Sequence, residues 1–388
     1  MSEGLETMTE VYPHLIKIDR KLDKLVKKIE LLNYVNPVNI EQEKRIFFSS
    51  KYSKNPSFNY KKIDFNAFKL QRKLFSQKID LVEDEETRNF YRDVIYDYSG
   101  LIECIETIGQ GKKFYYNVLK SFGTPTQKDV ENAQFILHFK DEEYDNELFP
   151  VFSADEACDY FMEFVKQYDF DLNLKQSTKI TAPAMVQNST QTLLLKKNHR
   201  FSANQLKVLA NHEIGVHLVT TYNGMSQTLN IFHNGFPRNV ETQEGLAVFS
   251  EYMSGCLTLW RLKELAYRVL AADSLQKGFN FCETFDLLYN QYKLNRDEAY
   301  NISLRAHRGG GFTKDYKYLS GLKKIYQLHK QEKSLDSLLL GKVSLEQASI
   351  IDHWKKMGLA QGARYRNNAF SKNLNTNQTL DFILDNLK

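Results

Sequence analysis

His212-Glu213-Ile214-Gly215-Val216-His217, followed 25 residues past its second histidine by Thr242-Gln243-Glu244-Gly245-Leu246-Ala247, decides the reading of this chain. The first segment lies in a helix whose start is well marked. Ser202 is placed as N-cap with Gln205 at N3, a capping box, and Phe201 can staple to Leu206. Asn223-Gly224 is expected to end the helix with a left-handed cap. On an undistorted helix two histidines at i and i+5 stand roughly 140° apart, against about 40° for the familiar i, i+4 pair. They can share an ion only if one wide π-type turn absorbs the extra residue, so a local bulge is predicted at 212–217. Gly215 lowers the cost of that distortion and lets a second element approach.

Two imidazoles in one turn with a glutamate between them, in a chain with only nine histidines, favour a metal site over a satisfied polar core. Catalytic zinc usually takes three protein ligands and keeps one position open. Glu244 is the expected third ligand, early in the next long helix and followed by Gly245, which leaves room for close packing. His233, in a loop-like Asn234-Gly235 context, is the rival. Glu213 is the expected general base, taking a proton from a water acidified by the ion. Glu251, seven residues after Glu244 and so on the same face, is expected to orient a ligand histidine.

Outward from this centre, two β-type runs precede the histidine helix, Thr178 to Val186 and Thr190 to Lys197, with Gln187-Asn188-Ser189 as the turn of a hairpin. That hairpin either braces the helix or offers an edge strand to an extended peptide. Residues 153–169 read as a helix capped by Ser153. Leu15, Ile18, Leu22, Leu25, Ile29 and Leu32 step by three and four, predicting an amphipathic helix of some five turns, packed on its own domain or forming a short coiled coil. Asn36-Pro37 ends it. Further helices are expected from Asn66 to about Phe139, broken near Gly109-Gln110-Gly111 and at Gly123-Thr124-Pro125. No proline follows Pro237, which predicts long uninterrupted helices to the C-terminus, with Gly309-Gly310-Gly311 the one strong break and Thr313 capping the next helix.

The fold class is therefore mainly α (α+β): a helical, zincin-like body with a small β-hairpin before the HExxxH helix. A helical region 1–140 and a zinc-binding catalytic domain 141–388 are expected, or one continuous globular unit. The 52 basic and 48 acidic residues leave a net charge of +4, too little to argue for nucleic acid or an anionic membrane. No apolar run is long enough for a membrane span, and Met1 to Glu6 lacks a secretory signal pattern. Cys104, Cys158, Cys256 and Cys282 form no CxxC pair and read as single thiols in a reducing, cytoplasmic setting.

The HEIGVH segment, Asn223-Gly224 and the TQEGLA segment resemble the QEGLA-motif proteins, labelled flavohaemoglobin expression-modulating, which share a family with the microtubule-associated tyrosine carboxypeptidases. Asn55-Pro56-Ser57-Phe58, the stretch from Arg305 to Leu319 and Gly341-Lys342 extend the resemblance over most of the chain. It implies zinc held by His212, His217 and Glu244, Glu213 as the catalytic glutamate, and removal of a C-terminal aromatic residue, tyrosine from α-tubulin in the eukaryotic enzymes. Gln227-Thr228 departs from the Gln-Pro common in that family, which bears on the pocket mouth. A carboxypeptidase must hold a free carboxylate, and a bidentate arginine is the natural device. Arg305, His307 and Arg308, at the end of a helix opened by Asn295 and Glu298, are the candidates, although cations at a helix C-terminus also simply complement its dipole. Tyr316 is the candidate donor to an oxyanion. The expected function is thus a zinc-dependent peptide hydrolase acting at a peptide or protein C-terminus. The alternatives are a non-catalytic regulator with a structural metal, or a hydrolase of a small amide.

Overall fold

A computed structural model describes residues 10–140, 149–178, 180 and 182–388. The reading of Met1 to Glu6, the beginning of a second domain at 141, and positions 179 and 181 of the first β run lie outside them. Before the sheet the chain forms α1 (Pro13–Val26), α2 (Ile40–Ser49), α3 (Ala67–Phe75), α4 (Glu85–Glu106), α5 (Lys112–Phe122), α6 (Gln127–Leu137) and α7 (Ala154–Val165). The breaks before and after α5 fall at the two predicted glycine positions, Gly111 and Gly123 both having positive φ. Ser153 caps α7 through a complete capping box with Glu156.

α1 is shorter than its apolar stripe predicts. It ends at Val26, and a tight turn, Ile29 N–H to the Val26 carbonyl at 2.8 Å, redirects the chain. Ile29, Leu31, Tyr34 and Val35 are all buried, more closely spaced than one straight helical stripe can serve.

The sheet has three strands in the order β1-β3-β2: β1 (Asn173–Ser177), β2 (Ala184–Gln187) and β3 (Thr192–Lys196). β2 and β3 form the predicted antiparallel pair, Val186 opposite Leu193. The first strand of that pair starts at Ala184, not Thr178, because Pro183 has no N–H to give the ladder and only its carbonyl accepts, from Lys196 N–H. β1, parallel to β3, was not legible, since Asn-Leu-Lys-Gln-Ser carries almost none of the β-branched or aromatic signal.

Three consecutive segments, Ala203–Leu209, Ala210–Leu218 and Val219–Ser226, then run on as one helix, α8 (203–226). Its start is as read, with Ser202 accepting from Gln205 N–H. The reciprocal half of the box is absent, for Gln205 Oε1 bonds His199 Nε2 at 3.0 Å. The helix also passes the predicted stop. Asn223 and Gly224 stay helical because tertiary contacts use them: buried Asn223 bonds Leu339 and Tyr365 main-chain groups. A Cβ on Gly224 would stand 2.7 Å from the Phe232 carbonyl.

Beyond α8 come α9 (Asn239–Met253), α10 (Leu259–Gln276), α11 (Phe281–Asp286), α12 (Arg296–His307), α13 (Lys317–Lys330), α14 (Ala348–Lys356) and α15 (Gln378–Asp385). Every residue of α9 from Thr242 to Met253 is buried. Thr313 does not cap α13; a 3-10 turn, Thr313–Tyr316, leads into it and the Thr313 hydroxyl donates to the Gly123 carbonyl. After Lys330 the expected long helices give way to short turns, because Gly341, Gly358 and the Asn367-Asn368 pair interrupt the chain without proline. The largest apolar cluster joins Leu15 of α1 to Leu387 near the end, and a second lies between α7, the sheet and one face of α8. α8 is thus clamped on two sides, Val216 facing the first cluster and Ile214 and Leu218 the second. Among the described residues no helix is long and apolar enough to cross a membrane.

Candidate metal centre

The middle of α8 is π-helical from Ala210 to Leu218, spanning the predicted bulge. The wide turn closes the nominal separation of the two histidines and leaves their ring centroids 5.0 Å apart. Carbonyls displaced from the regular ladder need other donors. The His217 carbonyl accepts from Thr221 Oγ1 and from Lys342 Nζ, each at 2.7 Å. Gly215 permits a close approach, since a Cβ there would lie 2.7 Å from the Asn367 side-chain amide, which would have to shift.

α9 brings Glu244 to the pair. Gly245 faces Gly321 of α13 so closely that a Cβ would stand 2.4 Å from the Gly321 carbonyl carbon. The crossing also seats Lys314, just before α13, against the carboxylate: Lys314 Nζ donates to Glu244 Oε1 at 2.7 Å. The other oxygen, Oε2, stands 3.6 Å from Nε2 of both His212 and His217. One ligand atom from each of the three residues lies within 4.8 Å of the others. Zinc–nitrogen and zinc–oxygen bonds of about 2.0–2.2 Å place tetrahedral ligand atoms roughly 3.3–3.6 Å apart, so this N,N,O set, with His212 and Glu244 buried and His217 half-buried, could hold the ion. His233, the rival ligand, is elsewhere, 3.3 Å from Asp23.

Glu251 sits behind His212. His212 Nδ1–H donates to its Oε1 at 2.8 Å, leaving Nε2 for an ion, and Arg261 Nε donates to its Oε2 at 3.2 Å. Burial works against the charge on Glu244, but Lys314 and the two imidazoles hold its carboxyl well below the usual range. Glu213 is anchored by the sheet, its Oε2 accepting Val186 N–H of β2 at 3.1 Å. Burial, reinforced by the charge of Glu244, pushes the Glu213 carboxyl up to about 7. A carboxylate so tuned can take and return a proton near neutrality.

His212, Glu213, His217 and Glu244 line a cavity of about 270 Å³ with Arg305, Arg308, Lys314 and Lys342. Four basic side chains thus face two carboxylates, and burial pushes the Lys342 amine down to about 7. Arg305 is paired with Asp315. Arg308 donates from Nη1 to Asn36 Oδ1, while its buried Nε has no partner. Burial and the neighbouring Arg305 push the Arg308 guanidinium down to about 10, so an anion beside it is favoured. Leu32, Ala184, Met185, Val240 and Tyr318 add an apolar wall. A larger cavity of about 750 Å³ between α3, α4 and α5 contains none of these groups.

Two sequence candidates are not brought to the cavity. His307 turns away to Thr284 Oγ1 at 2.8 Å, since the residue that opens α12 onto the cavity is Arg305, two positions earlier. The Tyr316 hydroxyl donates to the Phe122 carbonyl at 2.8 Å; the 3-10 turn before α13 changes the phase and puts Tyr318 on the cavity instead. Lys314, Tyr318 and Lys342 were missed. The Gly341-Lys342 pair was visible as part of a resemblance but carried no chemistry on its own.

A model of the microtubule-associated tyrosine carboxypeptidase family matches residues 45–388. Human microtubule-associated tyrosine carboxypeptidase 1 is 27% identical over 371 residues, covering 91% of this chain and 67% of that protein. The mouse protein of the same name is 27% identical over 352 residues, covering 86% and 65%, and the rat protein 27% over 350, covering 86% and 64%. The chain thus spans about two thirds of the length of these relatives.

Proposed function

The chain belongs to the microtubule-associated tyrosine carboxypeptidase family, and from that premise we propose that it is a zinc-dependent carboxypeptidase releasing a C-terminal residue, tyrosine or another aromatic, from a polypeptide. The observation that carries this reading is the convergence of His212, His217 and Glu244 within 4.8 Å, with Glu213 beside them and an excess of cationic groups around them. The ion would be held by those three residues, and its chemistry when bound is Lewis acidity, exerted on a water and on the scissile carbonyl.

The protein's own groups supply the rest. Glu213 takes a proton from the attacking water as the new C–O bond forms, then delivers it to the nitrogen as the C–N bond breaks. Arg308, through its unfilled Nε, and Arg305 receive the terminal carboxylate, restricting cleavage to the last peptide bond. Leu32, Ala184, Met185 and Val240 accept an aromatic terminal side chain. Glu251 and Lys314 fix the donor set by holding His212 and Glu244.

A mass-spectrometric screen of peptides varied at the last residue, with and without a chelator, tests this. Release of single C-terminal residues by zinc-loaded protein, abolished by chelation and by C-terminal amidation, is expected. Metal-replete protein that releases nothing, or release that survives the chelator, sinks the proposal.

A further inference from the structure

Lys342 is a buried lysine, 6% exposed, with no carboxylate within the 4.0 Å of an ion pair among the described residues. Its Nζ donates to the His217 carbonyl at 2.7 Å and to the Thr220 hydroxyl at 3.0 Å. An ammonium has three N–H groups, so one remains for the cavity that Lys342 lines with His212, Glu213, His217 and Glu244. The stem is held rigidly. Lys342 N–H donates to the Phe232 carbonyl at 2.6 Å and its own carbonyl accepts Phe236 N–H at 2.8 Å. A Cβ at the preceding Gly341 would lie 2.3 Å from the Phe232 oxygen.

The cavity therefore carries two basic stations anchored on different elements. Arg305 and Arg308 rest on Asp315 and Asn36; Lys342 rests on the main chain of the second histidine. A peptide being cleaved at its last bond also presents two negative centres. Its terminal carboxylate is charged throughout, whereas the scissile carbonyl oxygen becomes charged only near the top of the barrier. We propose that Lys342 is the donor for that carbonyl oxygen. The inference rests on the hydrolytic reading above. As the water oxygen bonds to the carbonyl carbon, the C=O π pair moves onto the carbonyl oxygen and the water proton passes to Glu213. The pair then returns, the C–N bond breaks, and the proton leaves Glu213 with the amine. A rigid N–H met only by the charged oxygen lowers the barrier without tightening substrate binding.

Lys342→Gln is the decisive variant, because it keeps a polar amide on the His217 and Thr220 side but is one atom shorter and uncharged, and so presents no ammonium N–H to the cavity. Bound zinc and KM are expected to stay near wild type while kcat falls roughly 100-fold or more. A phosphinic peptide mimicking the tetrahedral state should lose affinity by a similar factor, with product binding unchanged. Lys342→Arg, retaining a cationic donor, should recover part of the rate. If Lys342→Gln loses zinc and keeps kcat per bound zinc, the lysine only braces the His217 carbonyl and the inference fails. It fails equally if Tyr318→Phe, and not Lys342→Gln, removes the advantage of the phosphinic peptide. Wild-type protein that neither cleaves peptides nor binds the phosphinic probe would overturn the hydrolytic reading itself, and the inference with it.

Discussion

The two helices that carry the centre solve the same problem in opposite ways. α8 contributes two of the three proposed zinc ligands and has to distort, its π segment from Ala210 to Leu218 bringing i and i+5 together. α9 contributes the third proposed ligand and stays a regular α-helix from Asn239 to Met253. α9 adapts instead in its packing, with Gly245 pressed on Gly321. In α8 the irregularity is internal and is supported by Thr220 and Thr221 of its next turn and, from outside, by Lys342; in α9 the backbone is ordinary and the closeness of α13 is what matters. The lesson is that ligand spacing alone does not set a centre's geometry. A misfit in one helix is absorbed locally, and the fit of the other is fixed by a neighbour.

The largest effect should come from the residue that the distortion of α8 leaves facing the cavity. Glu213→Gln keeps size and the bond from Val186 N–H but cannot accept a proton. The rate should fall roughly 100- to 10,000-fold with zinc content unchanged, measured by peptide release and by metal analysis of one sample. Full activity in that variant would remove Glu213 from the mechanism.

Next in size is the packing of α9. Gly245→Ala places a methyl against backbone, which cannot rotate away, so stability should fall by about 3 kcal/mol, read from the denaturation midpoint. Separation of α9 from α13 should also loosen the Lys314–Glu244 pair and with it metal binding. A Gly245→Ala protein as stable as wild type would mean that the two helices slide freely and that their contact does not fix Glu244. Smaller again is the loss of the Glu251 carboxylate, which ties the two helices together through His212. Glu251→Gln should weaken zinc about 10- to 100-fold in a competition titration with a chromophoric chelator. An unchanged affinity would show that the π turn alone orients the His212 ring.

Sequence reading went furthest where the constraint was local. Ser202, Ser153 and the glycine breaks around α5 act within a few residues, and the i, i+5 spacing of His212 and His217 demanded a wide turn by arithmetic. It stopped where tertiary contacts decide. Asn223-Gly224 looks like a helix stop, yet Leu339, Tyr365 and Phe232 use both residues inside a continuing helix. Tyr318 was not legible because nothing in the residues announces a 3-10 turn ahead of α13. Lys314 and Lys342 lie about 70 and 100 positions beyond Glu244, and only the folded chain makes them neighbours of the centre.

Gly215→Ala is the smallest expected effect and the sharpest test of the contrast between the helices. Two terms oppose each other. Alanine is favoured over glycine within a helix by about 0.8–1.0 kcal/mol. Against this, the new methyl meets the Asn367 amide at 2.7 Å, and that side chain must shift. Its Nδ2 has no hydrogen-bond partner to lose, but its Oδ1 accepts Ala369 N–H at 2.9 Å, so the shift should cost about 1–2 kcal/mol. The sum lies within about 1 kcal/mol of zero, against about 3 for Gly245→Ala, although both replace a buried glycine on a ligand helix. Zinc affinity should be retained, because the π turn is held by the spacing of its ligands and by donors to the His217 carbonyl, not by glycine flexibility. Should Gly215→Ala lose zinc while keeping its fold, the wide turn depends on glycine itself, and α8 would be the strained partner of the two.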